Sequence, residues 1–261
     1  MRKLKKIKKG KIAASIEARM GSTRLPGKTT KLILGKPMLE LMIERVKKAA
    51  LVDEIVIATS VNKNDNVLEN LAKKNRIRVF RGSENDVLDR VLKAAEHCGA
   101  EHIVELWGDC PLIDPEIIDK AIRYYMDNDF DCVGTLLDRK FPWGIAALIF
   151  QTKILREISQ VTQDPVDREN VSNYIYEHPG KYRIGHLPCP PELNRPEIRL
   201  TVDELADFDL VKTIFERMIQ VKPDFRTTDI IKFLDSHPEI KNINTHVKQK
   251  KLSQDTKGAV Q

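Results

Sequence analysis

Long apolar runs are missing from this 261-residue chain, and with them any segment able to span a bilayer as a helix. The basic start carries Arg2, Lys3, Lys5, Lys6, Lys8, Lys9 and Lys11 but lacks the apolar core of a signal peptide. Ile12 to Ile16 is too short, and Glu17 and Arg19 put charge directly after it. Cysteine is scarce: Cys98, Cys110, Cys132 and Cys189 are widely spaced, with no C-x-x-C pair. That spacing argues against metal ligation and a disulfide framework, and predicts free buried thiols in a cytoplasmic protein. Internal repeats are absent, as is low-complexity sequence away from the charged ends. Positive charge is missing from where a nucleic-acid footprint would need it. The net charge of +6 includes +7 from residues 1–11 and +4 from residues 241–261, which leaves −5 for residues 12–240. Basicity confined to the ends reads as solvated tails, residues 1–10 and 241–261, flanking a single domain at 11–240. Neither a specific nucleic-acid partner nor membrane insertion is expected.

What is there begins with Ile12-Ala13-Ala14-Ser15-Ile16, a short apolar run that predicts a buried first strand. It leads into Glu17-Ala18-Arg19-Met20-Gly21-Ser22-Thr23-Arg24-Leu25-Pro26-Gly27-Lys28. Glycine and small hydroxyl residues let backbone N–H groups approach an anion, while arginine adds a bidentate fork and lysine a mobile point charge. The loop suits a polyphosphate, although a basic surface turn would share its composition. It is not a Walker loop, because five residues rather than the motif's four separate Gly21 from Gly27-Lys28-Thr29, and no helix comes directly after it. Gly35 and Pro37 intervene, and Pro37 is placed to begin the first helix.

From there strand-like and helix-like segments alternate. Helices are predicted at Met38 to Ala50, Asp65 to Lys74, Asn85 to Cys98 and Pro115 to Met126. Strands are predicted at Glu54 to Ser60, Ile77 to Phe80 and His102 to Trp107. Such alternation means a largely parallel sheet covered on both faces, with ligands at the carboxyl ends of its strands. Beyond Phe130 the rhythm changes. Strands are expected at Asp131 to Leu136, Gly144 to Phe150, Tyr182 to Leu187 and Leu200 to Asp203. Helices are expected at Lys153 to Val161, Asp167 to Glu177, Glu204 to Ile219 and Thr228 to Asp235.

Three stretches at predicted strand ends hold candidate site residues. Arg81-Gly82-Ser83-Glu84-Asn85-Asp86 comes after the third strand, and Ser83 or Asn85 there also reads as a helix cap. Gly108-Asp109-Cys110-Pro111-Leu112-Ile113-Asp114-Pro115 comes after the fourth, where an acid also reads as a turn residue. Thr201-Val202-Asp203-Glu204-Leu205-Ala206-Asp207 ends the last core strand and offers a second acid. His97 and His102 flank a helix end and a strand start, and read as surface or core residues rather than ligands.

The loop after the first strand resembles the signature of the sugar cytidylyltransferases, which include the enzymes that activate acylneuraminate and 3-deoxy-manno-octulosonate. It is most similar to the spore-coat polysaccharide branch, with its A-R-x-G-S-x-R-L-P-G-K loop. The likeness runs from about residue 11 to 220. It implies a three-layer α/β nucleotide-binding fold with a mostly parallel mixed sheet. A helical and strand insertion, about residues 137–196, would serve acceptor binding and dimerisation. The implied reaction moves CMP from CTP to an acidic sugar or related acceptor and releases pyrophosphate, for surface polysaccharide or glycan synthesis by a cytoplasmic homodimer. Asp109 falls in the family's G-D-x-P-L motif and Asp203 in its V-D-x-x-x-D motif, so both are implied ligands of Mg2+. A pair this sparse suffices for an ion that also binds phosphate oxygens and water. Arg19 and Lys28 would neutralise the leaving pyrophosphate, which makes Arg19, Lys28, Asp109 and Asp203 the implied catalytic set. Ala13, Ala14, Arg19, Gly21, Ser22, Thr23, Arg24, Lys28, Arg81, Ser83 and Asp109 are the implied nucleotide contacts, the two alanines lying beneath the pyrimidine.

Asp164 to Val171 and Tyr174 to Pro179 are also similar to the branch, whose D-P-x-D-R-E-H-V-T-P-Y-I-Y has histidine and proline where this chain has Asn170 and Asn173. Other departures cluster. The branch's P-x-G-x-D-x-E-V becomes Pro142-Trp143-Gly144-Ile145-Ala146-Ala147-Leu148-Ile149, and its R-I-T-G-D becomes Glu105-Leu106-Trp107-Gly108-Asp109. The nucleotide-side motifs are intact while acceptor-side polar groups are gone. Another nucleotide, a phosphorylated or phosphonate acceptor, or a nucleotide binder without acceptor chemistry therefore stand as alternatives.

Overall fold

The computed structural model of the protein describes residues 10–136 and 138–249. The expected tails up to residue 9 and from residue 250 onward lie outside the described residues. The first strand, β1 (Ile12–Glu17), has residues 12–16 buried on both faces, which is what an unbroken apolar run requires of a central parallel strand. After the loop, β2 (Leu32–Ile33) and β3 (Lys36–Pro37) form a small ribbon that turns through Leu34 and Gly35, both at positive φ, and delivers the chain to α1 (Met38–Val46). Next come β4 (Glu54–Ser60), α2 (Asn66–Asn75), β5 (Arg78–Gly82), α3 (Val87–His97), β6 (His102–Trp107) and α4 (Pro115–Asp127). The later elements are β7 (Cys132–Gly134), β8 (Leu148–Gln151), α5 (Thr152–Val161), α6 (Pro165–Glu169), α7 (Asn173–Glu177) and β9 (Ile184–His186). The last are α8 (Leu205–Val221), α9 (Thr227–Ser236) and α10 (Pro238–Lys241).

The main sheet has the order β5-β4-β1-β6-β8-β7-β9. Only β8 runs against the others, pairing antiparallel with β6 and β7, so the sheet is mixed but mostly parallel. Alternation along the strands splits the core in two. Ile12, Ala14 and Ile16 face α1, α2, α4, α8 and α9, whereas Ala13 faces α3 and α5. The result is the three-layer α/β fold. Order reverses at β1, whose neighbours β4 and β6 lie on opposite sides, and the crevice at such a reversal is where a ligand binds in open α/β sheets.

Three expectations for the second half change. Leu200 to Asp203 is not a strand: Leu200 N–H donates to Trp143 O (2.7 Å) and Val202 N–H to Asp109 O (2.8 Å), so the segment is shared between two loops and builds no ladder. The helix expected at Asp167 to Glu177 is two short ones. Asp164 caps α6 through Val166 N–H, and the Asp167 carboxylate takes Thr162 Oγ1 and Asn173 Nδ2 at 2.7 Å each, which holds the chain in a break between α6 and α7. The start of the expected C-terminal tail packs on the body, with Asn244 only 3% exposed.

Candidate active site

At the carboxyl end of β1, Gly108 N–H donates to Glu17 O at 2.8 Å. A Cβ on Gly108 would stand 2.8 Å from that oxygen, so only glycine lets the loop after β6 lie this close to the loop after β1. The loop of residues 18–28 is fastened from several sides. Met20 N–H donates to Asp65 Oδ1 (2.8 Å), Ser22 N–H to Met20 O (2.9 Å) and Lys28 N–H to Leu25 O (3.2 Å). Leu25 is buried, while Gly21, Thr23 and Arg24 are exposed and Ser22 half-buried. Asp65 is itself fixed by Thr59 Oγ1, Ser60 Oγ and Ser60 N–H, so a buried acid between β4 and α2 sets the position of the loop.

Lys28 reaches out of this loop to the two acids expected at strand ends. Its Nζ donates to Asp109 Oδ2 (3.0 Å), Asp203 Oδ1 (3.3 Å) and Val202 O (2.7 Å). Arg24 adds a contact to the same Asp203 Oδ1 at 2.9 Å. Carboxylates 94 positions apart in sequence thus converge on one ammonium. Burial works against the charge on Lys28, but Asp109 and Asp203 outweigh it and lift its pKa above the ordinary lysine value. Burial alone would raise the pKa of Asp203, yet Lys28, Arg24 and Arg199 hold it below the usual carboxylate range. The other oxygen of Asp203 takes Arg199 Nη2 at 2.7 Å.

Among the described residues no three or more His, Cys, Asp or Glu side chains gather into a metal cage. Two carboxylates aimed at one cation position are nevertheless the donor set that suits a divalent ion shared with phosphate and water. In the Gly108–Pro115 stretch the two aspartates divide the work. Asp109 faces the cluster, whereas Asp114 caps α4 through Glu116 N–H and binds Thr227 N–H and Oγ1.

Other residues expected at the nucleotide stand outside the Lys28 cluster. Ala13 and Ala14 are fully buried in the first half of β1 and point to opposite faces, so neither presents free surface. Arg81 is engaged by Ser60 O, Asn62 O, Asn66 Oδ1 and Glu69 Oε2, and ties the β4–α2 connection rather than joining the cation cluster. Ser83 does not cap α3; Asp86 does, through Asp89 N–H, while Ser83 Oγ accepts from Asp86 N–H. Arg19 stays half-exposed between Glu84 and Glu169, at 3.9 and 4.0 Å, and so stands at the mouth formed by the loop, the β5–α3 turn and α6.

Known proteins share this fold. The cytidylyltransferase family model matches residues 13–226. The chain is 35% identical over 229 residues to the spore coat polysaccharide biosynthesis protein SpsF of Bacillus subtilis, covering 86% of this chain and 94% of that one. It is 38% identical over 240 residues to a Methanocaldococcus jannaschii protein of uncharacterised function, covering 92% and 97%. Its fold matches a solved cytidylyltransferase from Leptospira borgpetersenii with a TM-score of 0.85 and 31% identity, over 93% of this chain and all of that one. The chain belongs to the cytidylyltransferase family. It is a CTP-dependent nucleotidyltransferase.

Two features of this family member escape sequence reasoning. Glu17 and Glu105 lie on one face of neighbouring strands, with their carboxyl groups adjacent in the interior. Burial drives both up, Glu17 to about 7 and Glu105 well above its ordinary value, with the Arg90 guanidinium partly offsetting the rise at Glu17. Leu148 stands opposite Glu105 in the β6–β8 register, and Ala146 and Leu148 are both buried. The branch's pattern would place its arginine and glutamate at these two facing positions. Two of the departures from that pattern, at 105 and 148, thus face each other inside the sheet. The second feature is the support behind Asp203. Arg199 Nε donates to Asp207 Oδ1 (3.0 Å), and Asp203 and Glu204 N–H groups donate to Asp207 Oδ2 (3.0 and 3.1 Å). The R-x-T-V-D-x-x-x-D spacing carries a signal for it, since positions 199, 203 and 207 are four apart.

Proposed function

We propose that the protein transfers CMP from CTP to a hydroxyl of an acidic sugar or related small acceptor, in the synthesis of a surface polysaccharide or glycan. The observation that carries this reading is the convergence of Asp109 and Asp203 on Lys28 beside the phosphate-type loop. In the proposed reaction the acceptor oxygen attacks the α-phosphorus in line and forms the new P–O bond. The bond to the bridging oxygen breaks, and pyrophosphate leaves with its electron pair. Positioning and charge neutralisation suffice for such a transfer, so no covalent intermediate on the protein is invoked.

Arg19, Arg24 and Lys28 are the cations available to the β- and γ-phosphates, with the backbone N–H groups of Gly21 and Thr23 and the Ser22 hydroxyl beside them. Asp109 and Asp203 would hold Mg2+, which when bound polarises the α-phosphate. Lys28 has a flexible stem and can serve either carboxylates or phosphates. The backbone around Ser83 is the proposed neighbour of the base and ribose. The similarity to SpsF supports the polysaccharide setting. Four free cysteines accord with a cytoplasmic protein, and no helix among the described residues is long and apolar enough to cross a membrane. A homodimer completes the proposal.

Pyrophosphate release, measured with the four nucleotides against a panel of acidic, neutral, phosphorylated and phosphonate acceptors, tests it. CTP with an acidic sugar is expected to give release. Turnover with a purine nucleotide equal to that with CTP would overturn the nucleotide assignment, and release only with another acceptor class would overturn the acceptor.

A further inference from the structure

We propose that Asn244 is a positioning residue for the Asp203 carboxylate, acting through Arg199 and Asp207. The inference rests on the proposed role of Asp203 as a metal ligand. Asn244 Nδ2 donates to Asp207 Oδ1 at 2.8 Å and to Arg199 O at 3.0 Å. Its side chain thus holds both members of the pair that supports Asp203. Asp207, with no exposed surface, accepts from Arg199 Nε and from the backbone N–H of Asp203 and Glu204. Arg199 Nη2 in turn holds Asp203 Oδ2, which leaves Oδ1 turned to Lys28 and Arg24.

Ile243 packs this segment on the core, but its other side is not closely filled. A cavity of about 280 Å³ lies against it, bounded by Trp143, Arg199, Leu210, Leu234, Lys241 and Val247. Where close packing is lacking, directional bonds set position, and Asn244 makes two of them to groups that are otherwise buried. Losing its amide leaves Asp207 Oδ1 with Arg199 Nε alone and leaves the Arg199–Leu200 peptide held only from its N–H side, by Trp143 O, so that its carbonyl end can shift. The guanidinium would then carry Asp203 Oδ2 with it. Outer partners of metal ligands commonly matter on the order of tenfold to a hundredfold in affinity or activity.

The test compares Asn244→Ala and Asn244→Asp with the wild type, reading Mn2+ affinity with CTP present by electron paramagnetic resonance, together with kcat, KM and melting temperature. The aspartate variant is nearly isosteric, keeps the packing, removes the donor and sets a carboxylate against Asp207. Both variants are expected to bind Mn2+ at least tenfold more weakly in the CTP complex and to lose kcat in proportion. CTP affinity without metal should stay within about twofold, because Asn244 contacts no expected nucleotide residue. Arg199→Lys, which keeps the charge but loses the fork, reads the same path from its other end and serves if either Asn244 variant fails to fold. A wild type without CTP-dependent Mn2+ binding would defeat the proposed function, and this inference with it. A wild type that binds, with variants that match it in Mn2+ affinity while melting lower, would defeat the inference alone.

Discussion

Asp203 has three cationic partners, Lys28, Arg24 and Arg199, and its replacement by asparagine leaves them around an uncharged amide. Asp203→Asn should therefore lower turnover by about a hundredfold or more, on the scale of losing one main electrostatic stabiliser. It should also lower the melting temperature by several degrees, since breaking one side of a buried pair strands the other. Asp109→Asn should match it in turnover, and the double variant should lose far less than the product of the single losses. Steady-state rates and thermal melts check both. The Glu17–Glu105 pair gives a second expectation at this scale. Both groups hold protons in the folded protein that they release when unfolded, so stability falls as pH rises from about 4.5 to about 7. Glu105→Gln should flatten that slope and raise the melting temperature at pH 8 more than at pH 5, in thermal melts at the two pH values. Asp109 and Asp203 are legible in the sequence because each sits in a dense local motif. The surroundings of Ala13 and Ala14 are not, because small residues do not reveal whether a strand face opens to a ligand or is sealed by a helix.

Elements position these residues through close approaches. Gly144, at φ 92°, would put a Cβ 2.6 Å from Thr201 N and 2.7 Å from Leu200 C, against the segment that leads to Asp203. Gly144→Ala should cost on the order of 2–4 kcal/mol in urea unfolding, from clash and from left-handed strain together. Gly99→Ala is the matched control. Gly99 also has positive φ but nothing within 4 Å, so its loss should be about 1 kcal/mol. The alternation of strands and helices up to Asp127 is legible, because the apolar runs of β1, β4 and β6 and the Val79–Phe80 pair of β5 are separated from one another by amphipathic helices. Beyond it the chain builds from short pieces. Leu200 to Asp203 has the composition of a strand but is divided between Trp143 and Asp109, and composition carries no information about a partner.

At the scale of the molecule, the described C-terminal residues are part of the body. A chain ended at Lys241 lacks Asn244 and the packing of Ile243 on the core, and it opens the wall beside Leu210 and Leu234. Its melting temperature should fall by roughly 2–8 °C in a thermal shift assay, given a loss of one to two kcal/mol at this size. That role is illegible in the sequence because a polar, lysine-containing stretch reads as solvated whether or not a single amide inside it is buried. The same architecture has a consequence in time. Lys28 and the Val202 carbonyl that it holds are 174 residues apart. At usual rates of synthesis, roughly ten to thirty seconds separate their appearance on a growing chain. Through that interval the phosphate-type loop exists without Asp203 opposite it. The site is thus completed late, as the last elements are made and dock, and a nascent chain can hold the loop's cations before it can hold their counter-charge.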